Sequence, residues 1–205
     1  MYSLVVGADG VIGRALASLL ALDGTPPLVT TRRPETVTDT RLYLDLADDL
    51  SGWRPPAGIS VVYLCAAVNS QERCRAEPHH TAMVNVHNTV TLARKLSEAG
   101  AFVVFPSTSL VFDGSVPFRR ASDATCPLTE YGRQKALAEA LLHDQDGLFA
   151  VVRLTKVLWP NMPLLRRWVK SLTQGEPVHP FSDMVMAPLS VDFAVEVLAC
   201  VGHVK

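Results

Sequence analysis

Tyr131 and Lys135, in the segment Tyr131-Gly-Arg-Gln-Lys135, are a pair of side chains suited to proton transfer. On a helix, residues at i and i+4 share a face, with Cβ atoms about 5–6 Å apart. Bringing a phenol from its reference pKa of about 10 to near 7 takes about 4 kcal/mol. One positive charge about 4 Å away supplies about that much at an effective dielectric of ~20. The spacing therefore predicts that Lys135 lowers the Tyr131 pKa and makes the phenol a proton donor at neutral pH. Upstream, Ser107-Thr108-Ser109 ends an apolar run and would present hydroxyls at the end of a strand.

These residues need a scaffold, and the pattern around them describes one. Short apolar runs alternate with longer helical patterns, which predicts parallel strands joined by helical crossovers. Strands are expected at 3–6, 28–31, 41–44, 59–66, 101–105 and 148–154, and helices at 11–22, 80–99 and 128–143. The run 59–66 is apolar almost throughout, as a central parallel strand is. Gly100 punctuates the helix before it. After Leu154 the pattern loosens, with prolines at 160, 163, 177, 180 and 188 around a helical stretch at 164–173, and Ser190 is placed to cap a last helix. The expected division is a dinucleotide-binding unit at 1–155 and a short substrate-side appendage at 156–205.

Composition narrows the partners. The 205 residues carry a formal net charge of −1 and no basic run, which argues against nucleic acid or an anionic membrane surface. The longest apolar stretch, 61–68, is too short to span a bilayer, and no charged region followed by an apolar core opens the chain. A cytoplasmic protein is expected. The four cysteines show no close pairing, so neither a disulfide framework nor a zinc site is expected. His79-His80 opens a helix where adjacent rings diverge, which disfavours a shared metal; no metal site is predicted.

Gly7, Gly10 and Gly13, with Val11 and Ile12 between them, lie between the first strand and the first helix. Glycines there permit a tight turn and close approach of a pyrophosphate, with the helix amino terminus facing the phosphates. The three-and-three spacing differs from the two-and-three of the dehydrogenase fingerprint. After the second strand come Thr31-Arg32-Arg33, with no acid before Glu35. An acid there would bond a ribose 2′-hydroxyl, whereas arginine pairs with a 2′-phosphate, so NADP is preferred over NAD. The competing reading makes both arginines solvated loop charges.

Taken together, the glycines, Asp45-Leu46 after the third strand, Ala66-Ala67 after the fourth, Asn85 in the next helix, Ser107-Thr108 and Tyr131–Lys135 resemble extended short-chain dehydrogenases/reductases. The segment Ser107-Thr-Ser-Leu-Val-Phe-Asp-Gly114 is most similar to the dTDP-4-dehydrorhamnose reductase branch. The resemblance implies an α/β, Rossmann-type doubly wound parallel sheet. It implies that Gly7, Gly10, Val11, Ile12 and Gly13 line the pyrophosphate, that Asp45 and Leu46 meet the adenine, and that Ala66 and Ala67 pass beside the ribose and nicotinamide. Thr108 would bond the substrate oxygen, Tyr131 would be the acid/base, and Lys135 would bind the nicotinamide ribose. Asn85 would have a supporting role near the site.

The implied activity is that of an NAD(P)-dependent oxidoreductase or epimerase, with hydride transfer at a carbonyl or carbinol carbon of a sugar nucleotide or similar small molecule. The alternative is a regulatory or sensor protein that binds NADP without catalysis. Val6 departs from the threonine often found before the first glycine, and Ser109 from the aspartate usual in the reductase branch. Relatives continue beyond position 205, so either a small substrate suffices or a partner chain completes the site. By the same resemblance, helices 80–99 and 128–143 would pair in a homodimer. Asp113-Gly114 reads as a turn, and Arg153 as either a phosphate contact or half of an ion pair.

Overall fold

The run Ile59–Leu64 (β4) is ISVVYL, and a strand so apolar is stable only with both faces covered. The computed structural model describes residues 2–22, 24, 26–144, 147–183 and 185–203. It pairs β4 in parallel with Tyr2–Val6 (β1) on one side and Phe102–Thr108 (β5) on the other. Leu28–Thr31 (β2), Arg41–Tyr43 (β3) and Phe149–Leu154 (β6) complete a six-stranded parallel sheet in the order β3-β2-β1-β4-β5-β6. This is the Rossmann-type, doubly wound arrangement expected from the sequence. The order reverses at β1 and β4, so the crevice at their carboxyl ends lies where ligands bind in open sheets of this kind.

Alternation along the strands divides the core in two. Leu4, Val6, Val62, Leu64, Val103 and Phe105 face one layer and pack with Leu92, Leu96, Ala138 and Leu142. Val5, Val61, Tyr63 and Val104 face the other and pack with Leu16, Leu20, Ala194, Val195 and Leu198. Full burial of such a side chain contributes about 1.5–3 kcal/mol. The first layer holds Thr89–Glu98 (α4) and Glu130–His143 (α5); the second holds Val11–Ala21 (α1) and Val191–His203 (α7).

The single helix expected at 80–99 is interrupted. Pro78–Ala82 (α3) leads into a wider π-type turn at Met83–Asn88 before α4 begins. Inside it, the Thr89 hydroxyl donates to the Val84 carbonyl, five residues back, at 2.7 Å. A widened turn of this sort is common beside functional sites, and it leaves no mark in the apolar spacing. The short helix Gln71–Ala76 (α2) was also not anticipated; the Ser70 hydroxyl accepts from the Arg73 N–H at 3.2 Å to start it.

Beyond β6, Lys156–Leu158 (β7) and Pro188–Ser190 (β8) form a separate parallel pair. Pro163–Thr173 (α6) lies between them and leaves Leu165, Val169 and Leu172 exposed. The Ser190 hydroxyl accepts from the Phe193 N–H at 3.1 Å, and α7 then returns to the sheet against α1.

Candidate functional site

The glycine turn shows why its residues are glycine. A Cβ on Gly7, whose φ is +86°, would lie 2.7 Å from the Ala66 Cα, and one on Gly13 would lie 2.3 Å from the Gly7 carbonyl oxygen. Real Cβ atoms do not approach so closely, so the turn can close on the segment after β4 only without side chains. Ala66 is thereby set beside the turn, with Ala67 next to it and exposed. A Cβ on Gly10 would meet only the Gly7 oxygen, at 3.4 Å. Gly10 is also the cap of α1, and no side chain bonds the free N–H groups that begin at Val11 and Ile12. An uncapped helix start behind a glycine-shaped turn fits a pyrophosphate.

Thr108 ends β5, and its side-chain oxygen accepts from the Leu110 N–H at 3.2 Å. This caps the short turn Ser109–Val111 and leaves the hydroxyl proton free of that bond. Gly132, which the sequence pattern did not single out, brings α5 to this turn: a Cβ there would lie 2.1 Å from the Leu110 oxygen. The start of α5, carrying Tyr131, therefore seats directly on the segment that follows Thr108. The Thr129 hydroxyl caps the helix by accepting from the Gly132 N–H at 3.1 Å.

One turn along α5, Lys135 is 3% exposed and donates to the Pro106 carbonyl at 2.8 Å. Burial pulls its ammonium down to about 7, against the attraction of Glu139. Burial, with a smaller contribution from Cys74, pushes the Tyr131 phenol up to about 12. The expected lowering of the tyrosine by the lysine is therefore overturned for the ligand-free chain. Desolvation of the phenolate sets the direction, and the Lys135 ammonium is directed to the Pro106 carbonyl.

Behind the pair lies a polar network that sequence spacing did not reveal. The Asn85 amide donates to the Val68 carbonyl at 2.9 Å and to Gln134 Oε1 at 2.8 Å, and its oxygen accepts from the Val68 N–H at 2.8 Å. Gln134 in turn donates to the Thr81 hydroxyl at 2.9 Å. The segment carrying Ala66 and Ala67 is thus tied through Asn85 to the helix carrying Tyr131 and Lys135. Below it, Arg153 pairs with Glu139 at 2.7 Å, and the Ser107 hydroxyl donates to the same carboxylate. Of the two readings of Arg153, the ion pair is the one the fold builds.

At the opposite end of the crevice, Leu46 is buried, and its carbonyl accepts from Asn88 at 2.8 Å. The Asp45 carboxylate accepts from the Ala47 N–H at 2.9 Å. Arg32 and Arg33 are exposed after β2. Asp9, inside the glycine turn, accepts from the Thr31 hydroxyl at 2.8 Å and from Arg41 of β3. Burial alone would raise the Asp9 carboxyl, but the Thr31 bond and the Arg41 charge hold it below its ordinary value. Neither Asp9 nor Arg41 was picked out by the motif; the acid between two glycines was the available signal.

Asp113 and Gly114 form the expected turn, with the Ser115 N–H bonded to the carboxylate at 3.0 Å. A cavity of about 1140 Å³ opens along β6, lined by Leu110, Phe112, Arg119, Glu139, Val151 and Arg153 among others. It does not include Thr108, Tyr131 or Lys135, so the chemistry-bearing residues and not this cavity locate the site. Among the described residues there is no cluster of three or more metal-ligating side chains, and no helix is long and apolar enough to cross a membrane.

Comparison with known proteins agrees with this architecture. Over 206 residues the chain is 30% identical to dTDP-4-keto-6-deoxy-D-glucose reductase of Streptomyces niveus, covering 98% of this chain and 68% of that protein. It is 29% identical over 162 residues to methionine adenosyltransferase 2 subunit beta of Xenopus tropicalis, covering 74% of this chain and 46% of that one. Among solved structures, MoeE5 in complex with UDP-glucose and NAD superposes with a TM-score of 0.81 at 26% identity, covering 100% of this chain and 73% of MoeE5. The chain spans about half to two thirds of the length of the curated relatives it matches. The profile of the family described as RmlD substrate binding domain matches residues 1–204, and the chain belongs to that family, within the extended short-chain dehydrogenases/reductases.

Proposed function

We propose that this protein is an NADP-dependent reductase of a nucleotide-linked keto sugar. The observation that carries the reading is the seating of α5, which bears Tyr131 and Lys135, on the turn that follows Thr108, made possible by Gly132. The names of relatives, a dTDP-4-keto-6-deoxy-D-glucose reductase and a protein bound to UDP-glucose and NAD, support the substrate class. A nicotinamide would supply the hydride. Residues 1–155 bind the dinucleotide and the region from 156 faces the substrate. Thr108 donates to the substrate carbonyl, and Tyr131, protonated well above neutral pH, gives that oxygen its proton. Lys135 holds the nicotinamide ribose from its anchor on Pro106. Arg32 and Arg33 favour a 2′-phosphate, with NAD as the weaker ligand. Met83, Leu137 and Leu141 are exposed on the helices expected to pair in a homodimer. The cytoplasmic placement expected from the sequence is kept.

The second reading, a non-catalytic dinucleotide-binding subunit, is favoured by the likeness to a protein named as a subunit of an adenosyltransferase. Tyr131→Phe separates the two. NADPH oxidation with a dTDP-4-keto-6-deoxyhexose should fall by at least about a hundredfold, the range of general acid catalysis, while nucleotide affinity stays within about twofold. Turnover equal to wild type would end the role given to Tyr131. No turnover in either protein, with nucleotide bound, would favour the subunit.

A further inference from the structure

The residues after β2 include no acid before Glu35, yet the fold brings one to that strand end. Asp9 departs from the glycine turn, and its carboxylate is held by the hydroxyl of Thr31, the last residue of β2, at 2.8 Å. That strand end is where an adenosine ribose lies in folds of this class. Arg41, from the start of β3, pairs with the other carboxylate oxygen. Its Nε is buried and makes no hydrogen bond, and its side chain is 33% exposed. The guanidinium is therefore only partly committed. The Thr31 hydroxyl also accepts from the Arg33 N–H at 3.1 Å, which fixes the arginine-bearing loop to the same corner.

We propose that the Asp9–Arg41 pair sets the choice between NADP and NAD, with Asp9 competing against the adenosine 2′-phosphate for Arg41. The inference rests on the dinucleotide reading above. A 2′-hydroxyl can donate to the Asp9 carboxylate and leave the pair closed. A 2′-phosphate cannot; its charge opposes Asp9, and it gains full attraction only if Arg41 turns from the carboxylate to the phosphate. Asp9 thus holds the preference for NADP below what three arginines would otherwise produce.

The test is a fluorescence titration of the full chain with NADPH and NADH, in wild type, Asp9→Asn, Arg41→Met and, as a control, Glu35→Gln, which removes an exposed acid from the same loop. Asp9→Asn keeps an oxygen for Thr31 and frees Arg41. It should raise the ratio of NADPH to NADH affinity by about tenfold, the size of one charge-assisted hydrogen bond. Arg41→Met should lower the ratio by about as much, through NADPH alone, and Glu35→Gln should leave it within about twofold. Both nucleotides report on the same folded fraction, so the ratio holds even where a variant is partly unfolded. An unchanged ratio in both variants, or a parallel loss of both affinities, overturns the roles of Asp9 and Arg41 and leaves the dinucleotide site standing. Failure of wild type to bind either nucleotide up to about a millimolar overturns both.

Discussion

The Lys135 ammonium donates to the Pro106 carbonyl of β5 at 2.8 Å and stands 3.6 Å from the centre of the Phe105 ring. One hydrogen bond and one aromatic face hold a side chain that is otherwise cut off from water. Glu139, a turn away on α5, draws on it from further off, its own carboxylate engaged by Arg153 and Ser107. The lysine is positioned by the sheet as well as by its helix, because both of these partners belong to β5.

Burial of Lys135 has a stability signature. Its folded pKa is about 7, against an unfolded value of about 10.4. Between the two, the unfolded chain binds a proton that the folded chain does not, so this group's contribution to stability rises with pH from about 7 to about 10. Lys135→Met should therefore be more stable than wild type near pH ~6, with the advantage shrinking toward pH ~10. Urea unfolding at several pH values measures this; a difference that does not change with pH would show that the lysine carries no burial penalty.

Tyr131 should titrate late. Its phenol is pushed up to about 12 by burial, so the folded chain keeps a proton that the unfolded chain loses above about 10, and the stability it supplies is lost as pH climbs toward 12. The phenolate absorbance difference between wild type and Tyr131→Phe should show no transition below pH ~10 in the absence of nucleotide. A transition near neutrality would restore the strong lysine effect expected from spacing.

Asn85 should matter more to the fold than a single polar residue ordinarily does. Asn85→Ala leaves the Val68 N–H and the Gln134 oxygen without their partner, while the Val68 carbonyl keeps only the Cys74 thiol as donor. Orphaned buried groups cost about 1–3 kcal/mol each, so a loss of about 3 kcal/mol is expected. Thermal and urea unfolding report it. Nucleotide affinity should fall as well, because the Ala66–Ala67 segment loses its anchor; full affinity in a destabilised variant would limit Asn85 to the fold.

Much of the architecture was legible because it is written in local patterns. The run at β4 could belong only to a buried strand, and Gly7, Gly10 and Gly13 between a strand and a helix left few alternatives to a tight turn. Tyr131 and Lys135 were visible as neighbours on one helix face, since helical spacing is a property of consecutive residues. The widened turn at Met83–Asn88 was not visible, because apolar residues at 83, 86 and 90 keep helical spacing in the sequence, whereas the turn exposes Met83 and buries Val84.

What tertiary structure alone decided are the relations between residues far apart in the chain and the protonation states that follow. Spacing predicted that the lysine would acidify the tyrosine; burial of both reversed the result, and burial is a property of the whole sheet. Asp9 and Thr31, 22 positions apart, share a hydrogen bond, and Arg41, 32 positions from Asp9, completes the pair. Gly132 is needed only because Leu110 lies beneath it. A sequence records each residue's chemistry and the period of its neighbours, whereas desolvation and long-range pairing exist only once β1, β2 and β3 lie side by side.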